Sequence, residues 1–249
     1  MATDQSLLLR WALVETSHPG NVGSAARALK TMGFSDLRLI NPKIKGIAQQ
    51  SEAIALASGA ADLLDGAQEL ESLEAAVQGC SLVLGLSSRD REFGPPTLDW
   101  KSARTLIAQT LKNNNPVAIV FGPERTGLEN HHLSLCTHRV WLDANPDYPS
   151  LNLAQALMVC AFTLRETLQG SMDIGLEPSK DRDQDFADPA AIAAMLDHWR
   201  EGLEAIGYLD PANPKKLMPR LQALFARSRL RKEEIDLLRG IAKQMVLRK

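Results

Sequence analysis

The chain has 249 residues, of which 45% are hydrophobic, enough to bury the core of one large domain or of one domain with a small appendage. Its net charge is −2, no run approaches the roughly 20 apolar residues of a membrane span, and the first residues lack the basic start and apolar stretch of a signal peptide. The three cysteines show neither metal-ligand spacing nor a disulfide framework. We therefore expect a protein of the reducing cytoplasm, with no membrane and no metal among its partners.

Strand-like and helix-like segments alternate in the first two thirds of the chain. Strands are predicted where short runs are continuously apolar, at residues 7–14, 37–40, 81–86, 116–121 and 139–142. Helices are predicted between them, at residues 21–33, 51–60, 72–79 and 99–113, with a short one that ends at residue 135. Asn21 and Asp99 are expected to cap their helices through side-chain oxygens.

This alternation, with strands that are apolar throughout, predicts an α/β domain with a mostly parallel sheet. The loops that follow the strands at 81–86, 116–121 and 139–142 are rich in Gly, Pro, Ser and Arg. Ligands of open α/β sheets bind beyond the carboxyl ends of the strands, so we expect a small-molecule site in these loops.

A rigid polar loop at residues 145–152 leads into a long apolar helix. Pro146 and Pro149 exclude regular structure before Ser150, and either Ser150 or Asn152 can cap the helix. The helix has one apolar face, which contains Leu153, Ala156, Leu157, Cys160, Ala161, Leu164 and Leu168. A capped helix N-terminus can hold a polar ligand, although an ordinary capped core helix has the same pattern.

The composition changes after Gly170. Residues 171–188 contain six acidic and two basic side chains without periodicity, which indicates a flexible acidic linker between a domain at 1–170 and an extension at 189–249. The extension is predicted to hold three helices, from Asp188-Pro189, from residue 215 to 226 and from residue 232 to 247. Such a small unit buries little surface alone, so we expect it to dock on the main domain or on a second subunit.

The charge is unevenly distributed. Residues 211–249 contain eleven Lys and Arg against three Asp and Glu, a net charge of +8, which leaves −10 for the rest of a chain whose net charge is −2. A basic tail on an acidic body favours a polyanionic partner, but a solvated basic helix explains the pattern equally well.

Several familiar sites are absent from the sequence. It contains no dinucleotide-binding glycine motif, no phosphate-binding P-loop, no nucleophile elbow and no histidine spacing typical of a metal site. Arginines at positions 27, 91 and 125 accompany glycine- and proline-rich loops instead, and arginine suits phosphate groups. Gly122 is expected to let a ligand approach the backbone closely. Since no general base is obvious, such a site favours a reaction whose activated group comes from a cofactor.

Three segments together resemble the motifs of the SPOUT-class RNA ribose 2′-O-methyltransferases. They are residues 21–27 (NVGSAAR), 121–128 (FGPERTGL) and 150–154 (SLNLA), in the order expected for that family. Residues 18–23 (HPGNVG), 144–148 (ANPDY) and the helical extension most resemble its bacterial TrmJ-type branch, which methylates cytidine or uridine at nucleotide 32 of the tRNA anticodon loop.

The resemblance implies a SPOUT domain with a C-terminal trefoil knot, S-adenosylmethionine as cofactor, and a homodimer that binds tRNA across the subunit interface, with the basic extension also binding tRNA. The implied cofactor-binding residues are Leu86, Ser87, Ser88, Gly122, Leu142, Pro149, Ser150 and Leu151. A different tRNA or rRNA nucleotide as target, or a non-catalytic RNA-binding relative, remains an alternative.

The implied catalytic residues are Arg27, Asn21, Arg91 and Ser150. Arginine is essentially always protonated, so we expect Arg27 to hold the phosphate beside the target ribose and to stabilise developing charge. Arg91 and Ser150 are expected to complete the alignment of the reactants, and Asn21 to orient Arg27 or the RNA backbone. One departure is residue 123, a proline where close relatives often carry an arginine.

Overall fold

A computed structural model describes residues 8–88, 94–173, 186–228 and 230–247, without the side chains of residues 171–173. Its strands are β1 (Leu9–Val14), β2 (Asp36–Ile40), β3 (Gln68–Leu70), β4 (Leu82–Leu86), β5 (Thr97–Asp99), β6 (Val117–Phe121) and β7 (His138–Trp141). Its helices are α1 (Pro19–Met32), α2 (Ser51–Ala57), α3 (Ala61–Asp65), α4 (Leu73–Val77), α5 (Trp100–Lys112), α6 (Asn130–Leu133), α7 (Leu153–Asp173), α8 (Pro189–Ala205), α9 (Leu217–Ser228) and α10 (Lys232–Leu247).

The seven strands form one sheet in the order β3-β2-β1-β6-β4-β7-β5, and every pair of neighbours is parallel. The predicted α/β fold with a parallel sheet is confirmed. β6 and β7 lie on opposite sides of β4, and α7 then returns to pack on α1. This crossing is consistent with a knotted chain, while the trefoil knot itself stays a prediction.

The core lies on both faces of the sheet. On one face α1, α2, α5 and α7 cover strand residues such as Trp11, which stacks on Phe121 with ring centroids 6.3 Å apart. On the other face the short helices α4 and α6 cover residues such as Val83 and Val120. The central strand β6 is buried throughout because both of its faces are covered, which explains its unbroken apolar sequence.

The element boundaries show where local signals fail. β3 and β5 were not predicted, because each is only three residues long and lies at an edge of the sheet. The helix predicted at 51–60 is wrong beyond Ala57, where a 3₁₀ turn at Ser58–Ala60 interrupts it. The Asn21 cap is also wrong, because α1 begins two residues earlier, at Pro19, and has His18 at the N-cap position.

Two other helix starts follow the predicted capping chemistry. Asp99 caps α5 by accepting a hydrogen bond of 2.8 Å from the backbone N–H of Ser102. Asn152 Oδ1 caps α7 by accepting bonds from the backbone N–H groups of Ala154 and Gln155. Of the two candidates for the α7 cap, Asn152 therefore takes the role and Ser150 does not.

The C-terminal helices α8, α9 and α10 form a small unit with its own core of Met195, Leu196, Phe225, Leu230 and Ile235. Asp188 caps α8 as predicted, through a bond of 2.7 Å from the N–H of Ala191. The unit docks on the main domain, where α8 contacts α4. Of the linker predicted at 171–188, residues 171–173 belong to α7 and residues 174–185 lie outside the described part of the chain. None of the described helices is long and apolar enough to cross a membrane.

Candidate active site

A solvent-open cleft, with about 850 Å³ of space between its walls, lies at the carboxyl ends of β4, β6 and β7. The position agrees with the edge of the sheet predicted from the loops. All eight residues that the sequence motifs implied for the cofactor line this cleft: Leu86, Ser87, Ser88, Gly122, Leu142, Pro149, Ser150 and Leu151. The fold thus gathers three distant segments around one space.

The cleft has an apolar and a polar side. Phe121, Val140, Leu153 and Ala156 contribute apolar side chains, while Ser87, Ser88, Ser150 and the segment 124–126 supply polar groups. Seven of the nine lining residues that the motif mapping missed lie within the motif segments 121–128 and 150–154, so reading each motif at full length would have included them. A ligand that fits has an apolar body and several polar atoms.

Gly122 is required by the protein's own backbone. A Cβ at this position would lie 2.3 Å from the backbone nitrogen of Leu128 and 2.4 Å from the carbonyl carbon of Gly127, because the loop at 122–128 folds back onto it. A bond of 2.9 Å from the N–H of Gly127 to the carbonyl oxygen of Pro123 closes the loop. The loop thus fills the side of Gly122 on which a Cβ would lie, while Gly122 itself lines the cleft, and the close approach of a ligand to its backbone stays a prediction.

Glu124 ties this loop to the segment that follows β1. Its carboxylate accepts hydrogen bonds from Thr16 Oγ1 at 2.7 Å, Asn21 Nδ2 at 3.0 Å, Ser17 Oγ at 3.1 Å, and the backbone N–H groups of Ser17 and His18 at 3.2 and 3.4 Å. Burial of the carboxyl opposes its ionisation, but the bonds from Asn21 and Thr16 outweigh burial and lower the pKa of Glu124 to about 2. Glu124 therefore fixes the loop at 122–128 against the segment that follows β1.

Asn21 joins all three motif segments. Its amide nitrogen donates to Glu124, and its amide oxygen accepts a bond of 3.0 Å from Asn152 Nδ2. Asn152 in turn caps α7. One continuous set of hydrogen bonds therefore runs from the cleft loop through α1 to the start of α7.

Arg27 faces a second, larger cavity on the other side of Asn21. This groove of about 1,740 Å³ lies between α1, α2 and the start of α7, and we call it the arginine groove. It is lined by His18, Gly20, Asn21, Ser24, Arg27, Ala28, Thr31, Glu52, Leu56, Asn152, Ala154, Gln155, Met158 and Val159. The Arg27 guanidinium is exposed and makes no hydrogen bond or ion pair with any described residue, so it is available to an anion.

The predicted catalytic residues are thus distributed over two adjoining cavities. Arg27 and Asn21 line the arginine groove, whereas Ser150 lines the cleft, and the Asn21–Asn152 bond lies where the two meet. Arg91 lies outside the described residues. Within the described part of the chain, no group of three or more His, Cys, Asp or Glu side chains is placed to hold a metal ion.

Comparison with known proteins identifies the family. The model of the SpoU rRNA Methylase family matches residues 9–162, which contain the whole sheet, the cleft and the arginine groove. The chain belongs to this SpoU methylase family. A second model, the C-terminal domain of tRNA methyltransferase TrmJ, matches residues 190–249, which correspond to the α8–α10 unit.

Relatives of this SpoU methylase cover almost its full length. It is 40% identical over 233 residues to the tRNA (cytidine/uridine-2′-O-)-methyltransferase TrmJ of Klebsiella pneumoniae, covering 94% of each chain. It is also 40% identical over 238 residues to the tRNA (cytidine/uridine/adenosine-2′-O-)-methyltransferase TrmJ of Pseudomonas aeruginosa, covering 94% of this chain and 91% of that one. The crystal structure of TrmJ from Z. mobilis ZM4 matches with a TM-score of 0.75 and 31% identity, covering 96% of this chain and 99% of that one.

These findings confirm the predicted resemblance to SPOUT-class methyltransferases of the TrmJ type. They also agree with the helical C-terminal unit, which accompanies the SpoU domain in the relatives matched over nearly their whole length. The roles of the individual side chains in the cleft and the arginine groove stay predictions.

Proposed function

We propose that this SpoU methylase transfers a methyl group from S-adenosylmethionine to the ribose 2′-oxygen of cytidine or uridine at nucleotide 32 of tRNA. The observation that supports this most strongly is the cleft, which is lined by all eight residues expected to bind the cofactor and adjoins the groove of Arg27. The activities in the names of the Klebsiella and Pseudomonas relatives agree with ribose methylation of tRNA.

The chemistry of the cleft fits S-adenosylmethionine. Its apolar side, with Leu86, Phe121 and Val140, suits an adenine ring, and its serine hydroxyls suit the ribose and the amino-acid end of the cofactor. When bound, the cofactor supplies an activated methyl group on a sulfonium. The protein's task is then mainly to align this group with the 2′-oxygen and to exclude competing orientations.

Arg27 is the residue proposed to position the RNA. A guanidinium is essentially always protonated and offers a planar set of donors that matches a phosphate. Held beside the target ribose, it also stabilises negative charge that develops on the 2′-oxygen. Ser150 on the cleft side, Asn21 at the junction and Arg91 are proposed to complete the alignment.

A second copy of the chain is proposed to cover the apolar side of the arginine groove. Leu56, Met158, Val159 and Phe162 are between 37% and 48% exposed there, on α2 and α7. A contiguous exposed apolar surface on a globular protein marks an interface. We expect a homodimer in light scattering, and Phe162→Glu should give a monomer with a folded core. The exposed Leu237→Glu on α10 serves as the control, and a dimer that survives Phe162→Glu contradicts this interface.

The α8–α10 unit is proposed to bind the tRNA body. Lys215, Lys216 and Arg220 cluster beside the exposed ring of Tyr208 at the start of α9, in the region that carries the net positive charge. Lys215→Glu with Arg220→Glu should weaken tRNA binding and lower the slope of log affinity against log salt by about 1–2. Lys101→Glu on α5 serves as the control, and an unchanged slope contradicts this surface.

The reaction is proposed to take place in the cytoplasm. All three cysteines are free and buried, which agrees with a reducing compartment.

The decisive experiment measures the product. Nucleosides of tRNA from cells with and without the gene should differ in 2′-O-methylcytidine or 2′-O-methyluridine, and fragment mapping should place the mark at nucleotide 32. Purified protein should methylate transcripts with C or U at that position, and a transcript with A tests the wider range named for the Pseudomonas relative. A 2′-deoxy nucleotide 32 must abolish transfer. Methylation at another nucleotide would show that the enzyme acts there and not at nucleotide 32. Binding of S-adenosylmethionine without any methylation of tRNA would refute the proposal that the protein is an active methyltransferase.

A further inference from the structure

The proposed reaction requires the 2′-hydroxyl to lose its proton. Arg27 cannot accept this proton, because a guanidinium is already protonated. The Glu124 carboxylate is an anion, but five hydrogen bonds engage it, and with a pKa of about 2 it stays ionised rather than taking up a proton. Another group must therefore accept the proton, or solvent must.

His18 is the one histidine among the described residues that lines the arginine groove. It is exposed, and its imidazole makes no hydrogen bond or ion pair with any described residue. The other four histidines lie outside both the groove and the cleft. An imidazole that is free on a groove beside an arginine is available to a substrate.

The backbone of His18 is held firmly although its ring is free. Its N–H donates to Glu124, and its carbonyl oxygen accepts bonds from the N–H groups of Asn21 and Val22 at 3.0 and 3.4 Å. Pro19 follows directly and excludes the helical conformation at His18, whose φ of −111° and ψ of 110° are extended. The position of the Cα–Cβ bond is therefore fixed relative to the cleft loop.

His18 precedes α1 and Arg27 lies on it, and both residues line the arginine groove. Nine residues separate them, which is about 14 Å along a helix at 1.5 Å per residue. Side chains on a helix lean toward its N-terminus, so the long Arg27 side chain reaches toward the end of α1 that carries His18. A nucleotide whose phosphate is held by Arg27 can then extend its ribose along the groove toward His18.

We propose that His18 is the proton acceptor for the 2′-hydroxyl, an inference that rests on the proposed function. A ring nitrogen of the neutral imidazole takes the hydroxyl proton while the 2′-oxygen forms its bond to the methyl carbon. The carbon–sulfur bond of the cofactor breaks, its electron pair stays on the sulfur, and neutral S-adenosylhomocysteine is released. The imidazolium then returns its proton to water.

The charged groups that face His18 come from three elements. Arg27 lies on α1, Glu52 lies on α2, and Glu124 on the loop after β6 accepts the His18 N–H. The groove residues on α7 and in the loop before it are uncharged. Glu52 is thus the rival acceptor within the groove, and the experiment must separate the two.

The test is a single-turnover methyl-transfer assay on the full-length protein, with a tRNA transcript carrying C32 and tritium-labelled S-adenosylmethionine, between pH 5.5 and 9. The wild-type rate should rise with pH and level off. His18→Gln should lower the rate about 10²–10³-fold and remove the plateau, as expected on loss of a general base. Added imidazole should restore part of the rate of His18→Ala. His131→Gln, at an exposed histidine outside both cavities, is the matched control.

Two binding measurements separate loss of chemistry from loss of fold. Affinities of His18→Gln for S-adenosylmethionine and for tRNA should stay within about threefold of wild type. A His18→Gln rate within fivefold of wild type with an unchanged pH profile overturns the proposal, as does loss of the plateau in Glu52→Gln instead. If the wild-type protein methylates no tRNA, the proposed function fails and this inference fails with it, whereas wild-type activity with a fully active His18→Gln refutes this inference alone.

Discussion

The Glu124 carboxylate offers the sharpest test of how the site is held together, through the substitution Glu124→Gln. Glutamine keeps the size of the side chain but has one uncharged carbonyl oxygen in place of two carboxylate oxygens that share a negative charge. Its amide nitrogen is a donor and would face Thr16, Ser17 and Asn21, which are themselves donors to Glu124. The substitution therefore removes hydrogen bonds that are strengthened by the negative charge of the carboxylate. It also places the NH₂ group of glutamine against N–H or O–H donors, with which it cannot form a hydrogen bond.

The size of the effect follows from the depressed pKa. A shift from 4.5 to about 2 corresponds to about 3 kcal/mol of stability at about 1.4 kcal/mol per pKa unit. The carboxylate is only half-buried, so solvent screening reduces this to roughly 1–2 kcal/mol. Because the folded pKa lies below the unfolded value, the contribution is fully present above pH 4.5 and is lost as the pH falls toward 2.

Urea unfolding at pH 7.0, 5.5, 4.5 and 3.5, followed by tryptophan fluorescence, measures both the size and the pH dependence. Glu124→Gln should be less stable than wild type by roughly 1–2 kcal/mol at pH 7.0, and the difference should shrink by about half a kcal/mol or more by pH 3.5. Glu166→Gln, at an exposed glutamate of α7, should change little. A difference that is constant over this range would refute the account of Glu124 as an anion held by its donors.

Three further substitutions test neighbouring parts of the structure. Gly122→Ala should abolish binding of S-adenosylmethionine in calorimetry, because its Cβ would lie 2.3 Å from the Leu128 nitrogen, and normal affinity would contradict the closed loop. Gly23→Ala should lower stability by about 1–3 kcal/mol in thermal unfolding but leave cofactor affinity intact, since its Cβ would meet the Ala53 carbonyl oxygen at 2.1 Å and push α2 from α1. Asn152→Ala should cost about 0.5–2 kcal/mol through loss of the α7 cap, which hydrogen exchange at the start of α7 detects, and unchanged protection there would reject that role.

The sequence was sufficient for those parts of the fold whose signal is local. The central strands are continuously apolar because both faces of the sheet are covered, and Asp99 and Asp188 cap helices by bonds to residues three positions away. The edge strands β3 and β5 carry no such signal, because three residues with one exposed side give neither an apolar run nor a period of two. Their existence depends on neighbouring strands that are distant in sequence.

The lining of the cleft was also predictable, although through resemblance rather than through periodicity. The motif segments at 121–128 and 150–154 supply ten of its seventeen lining residues, and the ends of β4 and β7 with the residues that follow them supply most of the others. No local sequence pattern indicates how these segments are hydrogen-bonded to one another. Asparagine is a residue type favoured at helix N-caps. The amide of Asn21 instead bridges Glu124 and Asn152, which lie 103 and 131 residues away in the chain.

These hydrogen bonds connect residues at the boundary between the two cavities. The cleft and the arginine groove share no lining residue, but the Glu124–Asn21–Asn152 bonds fix the wall between them. A methyl group and a ribose can react only if the two sites keep their relative position to within fractions of an ångström, because alignment supplies much of the acceleration in such a transfer. Hydrogen bonds are directional, so a wall built from polar side chains that bond one another, part-buried at Asn21 and Glu124, fixes this distance more closely than apolar contacts do. The polar residues of the motifs are therefore needed for the distance between the sites as well as for any contact with a substrate.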